Sequence, residues 1–263
     1  MADKIWETVE GEGPLLTAAI HDGHYVRPEV ARHLALGDHD RLREEDPYTA
    51  DWTVVAPTSI VGLRSRFETD LNRPRDKAVY RRPEDAWGLQ VWKDDLPEGI
   101  IEESLAEYDG FYSEARRMFR KAERDYGRFV VFDLHSYNHR RDGPNGPPAD
   151  PAQNPEVNVG TGAMDRNRWT PIVERFLGDL RAFDFAGRRL DVRENVKFRG
   201  GYFSQWIHES FPASGCSLAI EFKKFFMDEW TGELYPEEHQ LILEALRWTI
   251  PGILEELPKL ATG

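Results

Sequence analysis

A single α/β domain over residues 1–263, with a mixed, mostly parallel sheet and helices on both faces, is predicted by three features of the chain. Strand-like and helix-like segments alternate along its length. Two strand-like runs, Phe129–Phe132 and Cys216–Phe222, are near-continuously apolar, as strands buried on both faces must be. The chain has 263 residues, 40% of them hydrophobic, enough for a sizeable core, and no linker divides it.

The elements follow in order. Leu15–Ile20 is an apolar run that stops at His21 and Asp22, as a buried strand stops at a loop. Pro28–Leu36 reads as a helix with Pro28 in its first turn. Val54–Ala56 is a short strand candidate. Gly62–Glu68 alternates Leu63, Ser65 and Phe67 against Arg64, Arg66 and Glu68, and so reads as a strand. Glu98–Tyr126 repeats Ile101, Leu105, Tyr108, Tyr112, Ala115, Met118 and Phe119 at helical spacing. Phe129–Phe132 is a central strand, and Asp142–Pro155, rich in Gly and Pro, is a loop. Pro171–Phe183 is helical, Val196–Phe198 is a short strand, Tyr202–Ser210 is a helix of one or two turns, Cys216–Phe222 is a strand, and Pro236–Leu254 is a closing helix.

Charge narrows the function classes. Thirty-four Lys and Arg stand against 47 Asp and Glu, a formal net charge of −13. Such a surface repels phosphate backbones and anionic lipid, so neither nucleic acid nor membrane is expected as a partner. No apolar run approaches the roughly 20 residues of a membrane span. The sole cysteine, Cys216, permits no internal disulfide, and the first residues show no apolar signal region. A cytoplasmic enzyme or binding protein is expected.

Three apolar strands end in or carry metal-competent residues: His21 after the first, His135 after the Phe129 run, and Glu221 within the Cys216 run. Sites in open α/β sheets lie at the carboxyl ends of strands. A catalytic zinc takes three protein ligands and keeps one position open. His21 and His135 supply two, and the third comes from Glu44-Glu45-Asp46 or from Asp51. Asp133, two residues before His135, is placed to orient an imidazole. His24 and His139 lie near enough in sequence to line the site, while His33, His39, His208 and His239 read as surface residues. Asn72-Arg73 pairs an amide with a guanidinium and suits an anionic substrate. Arg199 sits beside Gly200-Gly201 in a candidate substrate loop. No dinucleotide fingerprint, phosphate loop or nucleophile elbow occurs, and Cys216 reads as packed.

Six segments together resemble the N-formylglutamate amidohydrolase family, whose fold is related to the zinc carboxypeptidases and aspartoacylase-type deacylases. They are Ile20-His21-Asp22-Gly23; Ser65-Arg66 running into Asp70-Leu71-Asn72-Arg73-Pro74; Phe132-Asp133-Leu134-His135-Ser136; Pro155–Gly160; Phe198–Tyr202; and Ile220-Glu221-Phe222 with Met227-Asp228-Glu229. The order is the family's, and the span is roughly residues 15 to 230.

The resemblance implies a zinc carboxypeptidase-like fold with Zn²⁺ held by His21, His135 and a carboxylate, Glu45 being the first choice and Asp51 the alternative. It also implies Glu221 as the catalytic carboxylate, Arg66 as the group that polarises the scissile carbonyl, and Asn72 with Arg73 as a carboxylate clamp, and Arg199 of the candidate substrate loop is expected to bind substrate as well. The expected substrate is a small anionic amide such as N-formylglutamate. A metallo-carboxypeptidase acting on small or cell-wall peptides, or a non-catalytic binding module on the same fold, remains an alternative at this point.

Overall fold

The computed structural model describes residues 5–260. One sheet runs through it, built from β1 (Trp6–Val9), β2 (Leu15–Ala19), β3 (Thr58–Gly62), β4 (Phe129–Tyr137), β5 (Val157–Gly160), β6 (Val192–Glu194) and β7 (Gly215–Lys223). The spatial order is β1-β3-β2-β4-β7-β5-β6. The inner strands β3, β2, β4 and β7 are mutually parallel, β5 is parallel to β6, and the antiparallel pairs are β1 with β3 and β5 with β7. This is the mixed, mostly parallel sheet that the sequence predicts.

Helices cover both faces. The period of two along a strand sends Val130, Phe132 and Leu134 of β4 into one core and Phe129 and Val131 into the other. The first core is closed by α4 (Thr170–Ala182) and α6 (Pro236–Glu256), which contribute Ile172, Phe176, Ile242 and Leu246. The second is closed by α3 (Glu98–Tyr126) and α5 (Tyr202–Ser210), which contribute Phe111, Phe119, Phe203 and Trp206. The spacing that marks α3 in the sequence is the stripe it buries, and its end is set by Gly127 at φ 74°. Two short helices, α1 (Pro28–Ala31) and α2 (Asp38–Glu44), lie between β2 and β3.

Four expectations differ. The helix expected over Pro28–Leu36 ends at Ala31. Val54–Ala56 is not a strand, because Ala50–Val55 is a 3₁₀ helix whose Trp52 plugs the first core. The strand expected over Gly62–Glu68 ends where it was meant to begin, since β3 occupies Thr58–Gly62. The alternation beyond it belongs to a turn in which Ser65, Glu68 and Asp70 are buried and hydrogen-bonded, so polar does not mean outward there. Val196–Phe198 is not a strand, and the outer of the two strands beyond β7, after β5, is β6 at Val192–Glu194. Among the described residues no helix is long and apolar enough to cross a membrane.

Candidate metal centre and active site

The parallel strands β2, β4 and β7 end side by side, and a pocket of about 270 Å³ opens over their carboxyl ends. Alternation along β4 puts Asp133 and His135 on one face, and the register sets Glu221 of β7 directly beside His135. His21 follows β2, and the imidazoles of His21 and His135 meet edge to face with centroids 5.1 Å apart. Asp46 enters from the turn after α2, tethered by its backbone N–H to the carbonyl of His21 at 3.0 Å. His21, Asp46 and His135 are buried, with one ligand atom of each lying within 4.8 Å of the others.

The partners of the two rings define which nitrogens face inward. His21 Nε2 lies 2.7 Å from Asp70 Oδ1, and His135 Nε2 lies 2.9 Å from Asp133 Oδ1. A carboxylate accepts only, so each Nε2 carries the proton. The Nδ1 atoms both turn to Asp46 Oδ2, at 3.5 Å from His21 and 2.9 Å from His135. With neutral rings, two lone pairs would then face a carboxylate oxygen across a buried gap. That arrangement requires a proton or a cation in the gap. Burial alone would raise the Asp46 carboxyl, yet the two imidazoles hold it well below the carboxylate range. Burial opposes charge on His135, but Asp133 and Asp46 outweigh it and hold the imidazole well above its usual value. Two nitrogens and a carboxylate, each imidazole braced by a second carboxylate, form a donor set that could hold a metal ion.

The third member of the cluster is Asp46, not Glu45. The Glu45 carboxylate points the other way, to the Ser65 hydroxyl, to His24 Nδ1 and to Arg41 at 3.5 Å. Glu45 is the first residue past α2 and is already extended, so Glu45 and Asp46 fall on opposite sides of the chain. Asp51 is also outside the cluster: it is largely exposed and faces His239 at 3.6 Å. His24, bound to Glu45, and His139 are not in the pocket wall. His208 is not a surface residue, being buried with Nε2 accepting from the Ser217 N–H at 2.9 Å. His239 is half-buried against Trp52.

The other expected residues do share the pocket: Arg66, Asn72, Arg73, Arg199 and Glu221 line it with His21 and His135. Glu221 has neither hydrogen bond nor ion pair through its carboxylate among the described residues, and burial pushes it up to about 7. Arg66 donates to Asp70 Oδ2 at 2.9 Å and to the Glu44 carbonyl at 3.4 Å, and lies 4.8 Å from the ring centre of Trp87. Burial opposes its charge, but Asp70 keeps it firmly protonated. Asn72 spends its carbonyl on the Phe203 N–H at 3.0 Å, so only its amide end is left for a substrate. A Cβ on Gly201 would sit 2.2 Å from the Asn72 side chain, which is why glycine opens α5 there. Arg73 is half-exposed with Asp70 3.8 Å away, and the Arg199 guanidinium has no partner among the described residues.

Asp70 and Lys224 carry almost no signal in the sequence. Asp70 receives His21, Arg66, the Asn72 N–H and the Tyr80 hydroxyl at once. Its only sequence signal is its place in Asp70-Leu71-Asn72-Arg73. Lys224 follows β7 and is buried, which pushes its ammonium down to about 8.

The model of the N-formylglutamate amidohydrolase family matches residues 13–226. Among solved structures, the N-formylglutamate amidohydrolase of Ralstonia eutropha JMP134 superimposes with a TM-score of 0.73 at 16% identity, covering 97% of this chain and 98% of that one. A gene product of Agrobacterium tumefaciens superimposes with a TM-score of 0.69, also at 16% identity, covering 96% of each chain. At that identity the likeness speaks for the fold. None of the curated proteins compared matches the chain. With the family model spanning most of its length, the chain belongs to the N-formylglutamate amidohydrolase family.

Proposed function

We propose that this protein hydrolyses the amide bond of an N-acyl amino acid, N-formylglutamate in the first instance, with Zn²⁺ held by His21, Asp46 and His135 and with Glu221 as general base. The observation that carries the reading is the inward convergence of two Nδ1 atoms on the Asp46 carboxylate while each Nε2 is fixed by Asp70 or Asp133. When bound, zinc supplies Lewis acidity and brings the deprotonation of water near neutral pH.

The chain's own groups do the rest. Glu221, pushed up to about 7 by burial and without a hydrogen-bond partner among the described residues, takes a proton from the attacking water and delivers it to the leaving nitrogen. Arg66, fixed by Asp70, offers a permanent positive charge to the oxygen of the scissile carbonyl. Arg73 and the amide of Asn72 hold the substrate carboxylate, and Arg199 adds a second cation to the pocket lining. Holding the substrate at that end orients the amide over the metal centre. The test is turnover of N-formylglutamate by zinc-loaded and chelator-stripped protein. Formate release that depends on the metal supports the reading, and equal release from both, or from neither, contradicts it.

A further inference from the structure

Lys224 has no part in the proposed hydrolysis, yet it is one of the most enclosed side chains among the described residues, 2% exposed. Its backbone N–H donates to the Tyr137 carbonyl at 3.0 Å and so extends the pairing of β7 with β4 by one residue. The side chain then reaches across to the end of α2. Nζ donates to the carbonyls of Arg43 and Glu45, each at 2.7 Å. The carbonyl between them, that of Glu44, takes Arg66 at 3.4 Å. Three successive carbonyls immediately before Asp46 are therefore held by two cations.

These carbonyls lie at the carboxyl end of a helix, where the peptide dipoles leave partial negative charge and the last carbonyls lack helical partners. A compact ammonium with several donors can satisfy two of them at once. The neighbouring Lys223 does nothing of the kind, because its Nζ goes to the Asn154 carbonyl at 3.2 Å.

We infer that Lys224 is a positioning residue for the metal centre: by clamping the Arg43 and Glu45 carbonyls it fixes the turn that aims Asp46 between His21 and His135. One strand end thereby carries Glu221 and, three residues on, the group that sets the carboxylate ligand. The inference rests on the metal reading proposed above. Without the clamp the turn is free to relax, and the Asp46 carboxylate loses its fixed place between the imidazoles.

The test is the zinc dissociation constant of full-length protein, by competition with a chromophoric chelator, for wild type, Lys224→Met, Lys224→Arg and Lys223→Met. Melting of the metal-free forms separates fold from site. Lys224→Met is expected to weaken zinc binding about 10- to 100-fold, the usual cost of losing a group that orients a ligand. Lys224→Arg, which keeps charge and donors, falls between it and wild type, and Lys223→Met stays within about twofold of wild type. If Lys224→Met does not fold, Lys224→Gln is read on the same scale. A Lys224 variant that lowers the melting temperature but binds zinc within about twofold of wild type overturns the inference and leaves the metal reading intact. A wild type that binds no zinc overturns the metal reading and this inference with it.

Discussion

Replacing Asp70 with alanine removes one carboxylate and disconnects four donors. In the native protein it is fully buried and accepts from His21 Nε2 at 2.7 Å, Arg66 Nη2 at 2.9 Å, the Asn72 N–H at 2.8 Å and the Tyr80 hydroxyl. In Asp70→Ala the Arg66 charge keeps only the Glu44 carbonyl at 3.4 Å and the face of Trp87. Removing one partner of a buried ion pair costs ~3–5 kcal/mol. For a chain of this length the unfolding entropy near 60 °C is about 0.55 kcal/mol/K, so Tm falls by ~5–9 °C. Calorimetry of the metal-free protein measures this. His21 also loses the acceptor that fixes its tautomer, so zinc affinity falls about 10- to 100-fold in the same variant. A Tm within about 2 °C of wild type, with zinc affinity unchanged, would refute the reasoning that Asp70 both neutralises Arg66 and orients His21.

Three further outcomes are expected. Glu221→Gln keeps the fold and binds zinc, but kcat on N-formylglutamate drops ~10²–10⁴-fold in steady-state kinetics, and near-native turnover removes Glu221 as the base. Arg73→Ala raises KM about 10- to 100-fold for a substrate with a free α-carboxylate and leaves the matching carboxamide nearly unaffected, whereas equal losses on both would make Arg73 structural. His208 is held neutral by burial, its folded value lowered to about 4 from 6.5. The unfolded chain therefore binds the extra proton between pH 6.5 and 4, and stability is lost as pH falls through that window. Urea unfolding at pH 7 and pH 4.5 should show wild type losing ~2–3 kcal/mol more than His208→Gln, and identical losses contradict the assignment.

The fold was legible where burial is uniform. The inner strands β4 and β7 announce themselves by near-continuous apolar runs, and α3 by a stripe repeated over 29 residues. The edge strand β1 and the short β5 and β6 offer three or four residues each, too few for a period to emerge. The segment from Leu63 to Asp70 misleads for a different reason. Its polar side chains are buried because Arg27, Arg66, Glu45 and His21 meet them there, and that exchange is invisible before the chain is folded. The strand-end histidines were readable for the same reason as their strands. Which of Glu44, Glu45 and Asp46 faces them was not, since three successive carboxylates look alike until the helix end sets the direction of each. The proline after Asp46 is the one sequence signal, because a residue before proline is driven out of helical geometry into an extended one.

Asp46 is the carboxylate on which the proposed metal centre depends, and zinc titration of Asp46→Asn beside Glu45→Gln tests that role most directly. Wild-type protein should bind one equivalent of zinc, Asp46→Asn should bind it about a hundredfold more weakly or worse, and Glu45→Gln should stay within a few-fold of wild type. The reverse order, with Glu45→Gln losing the metal and Asp46→Asn keeping it, would contradict a centre formed by His21, Asp46 and His135.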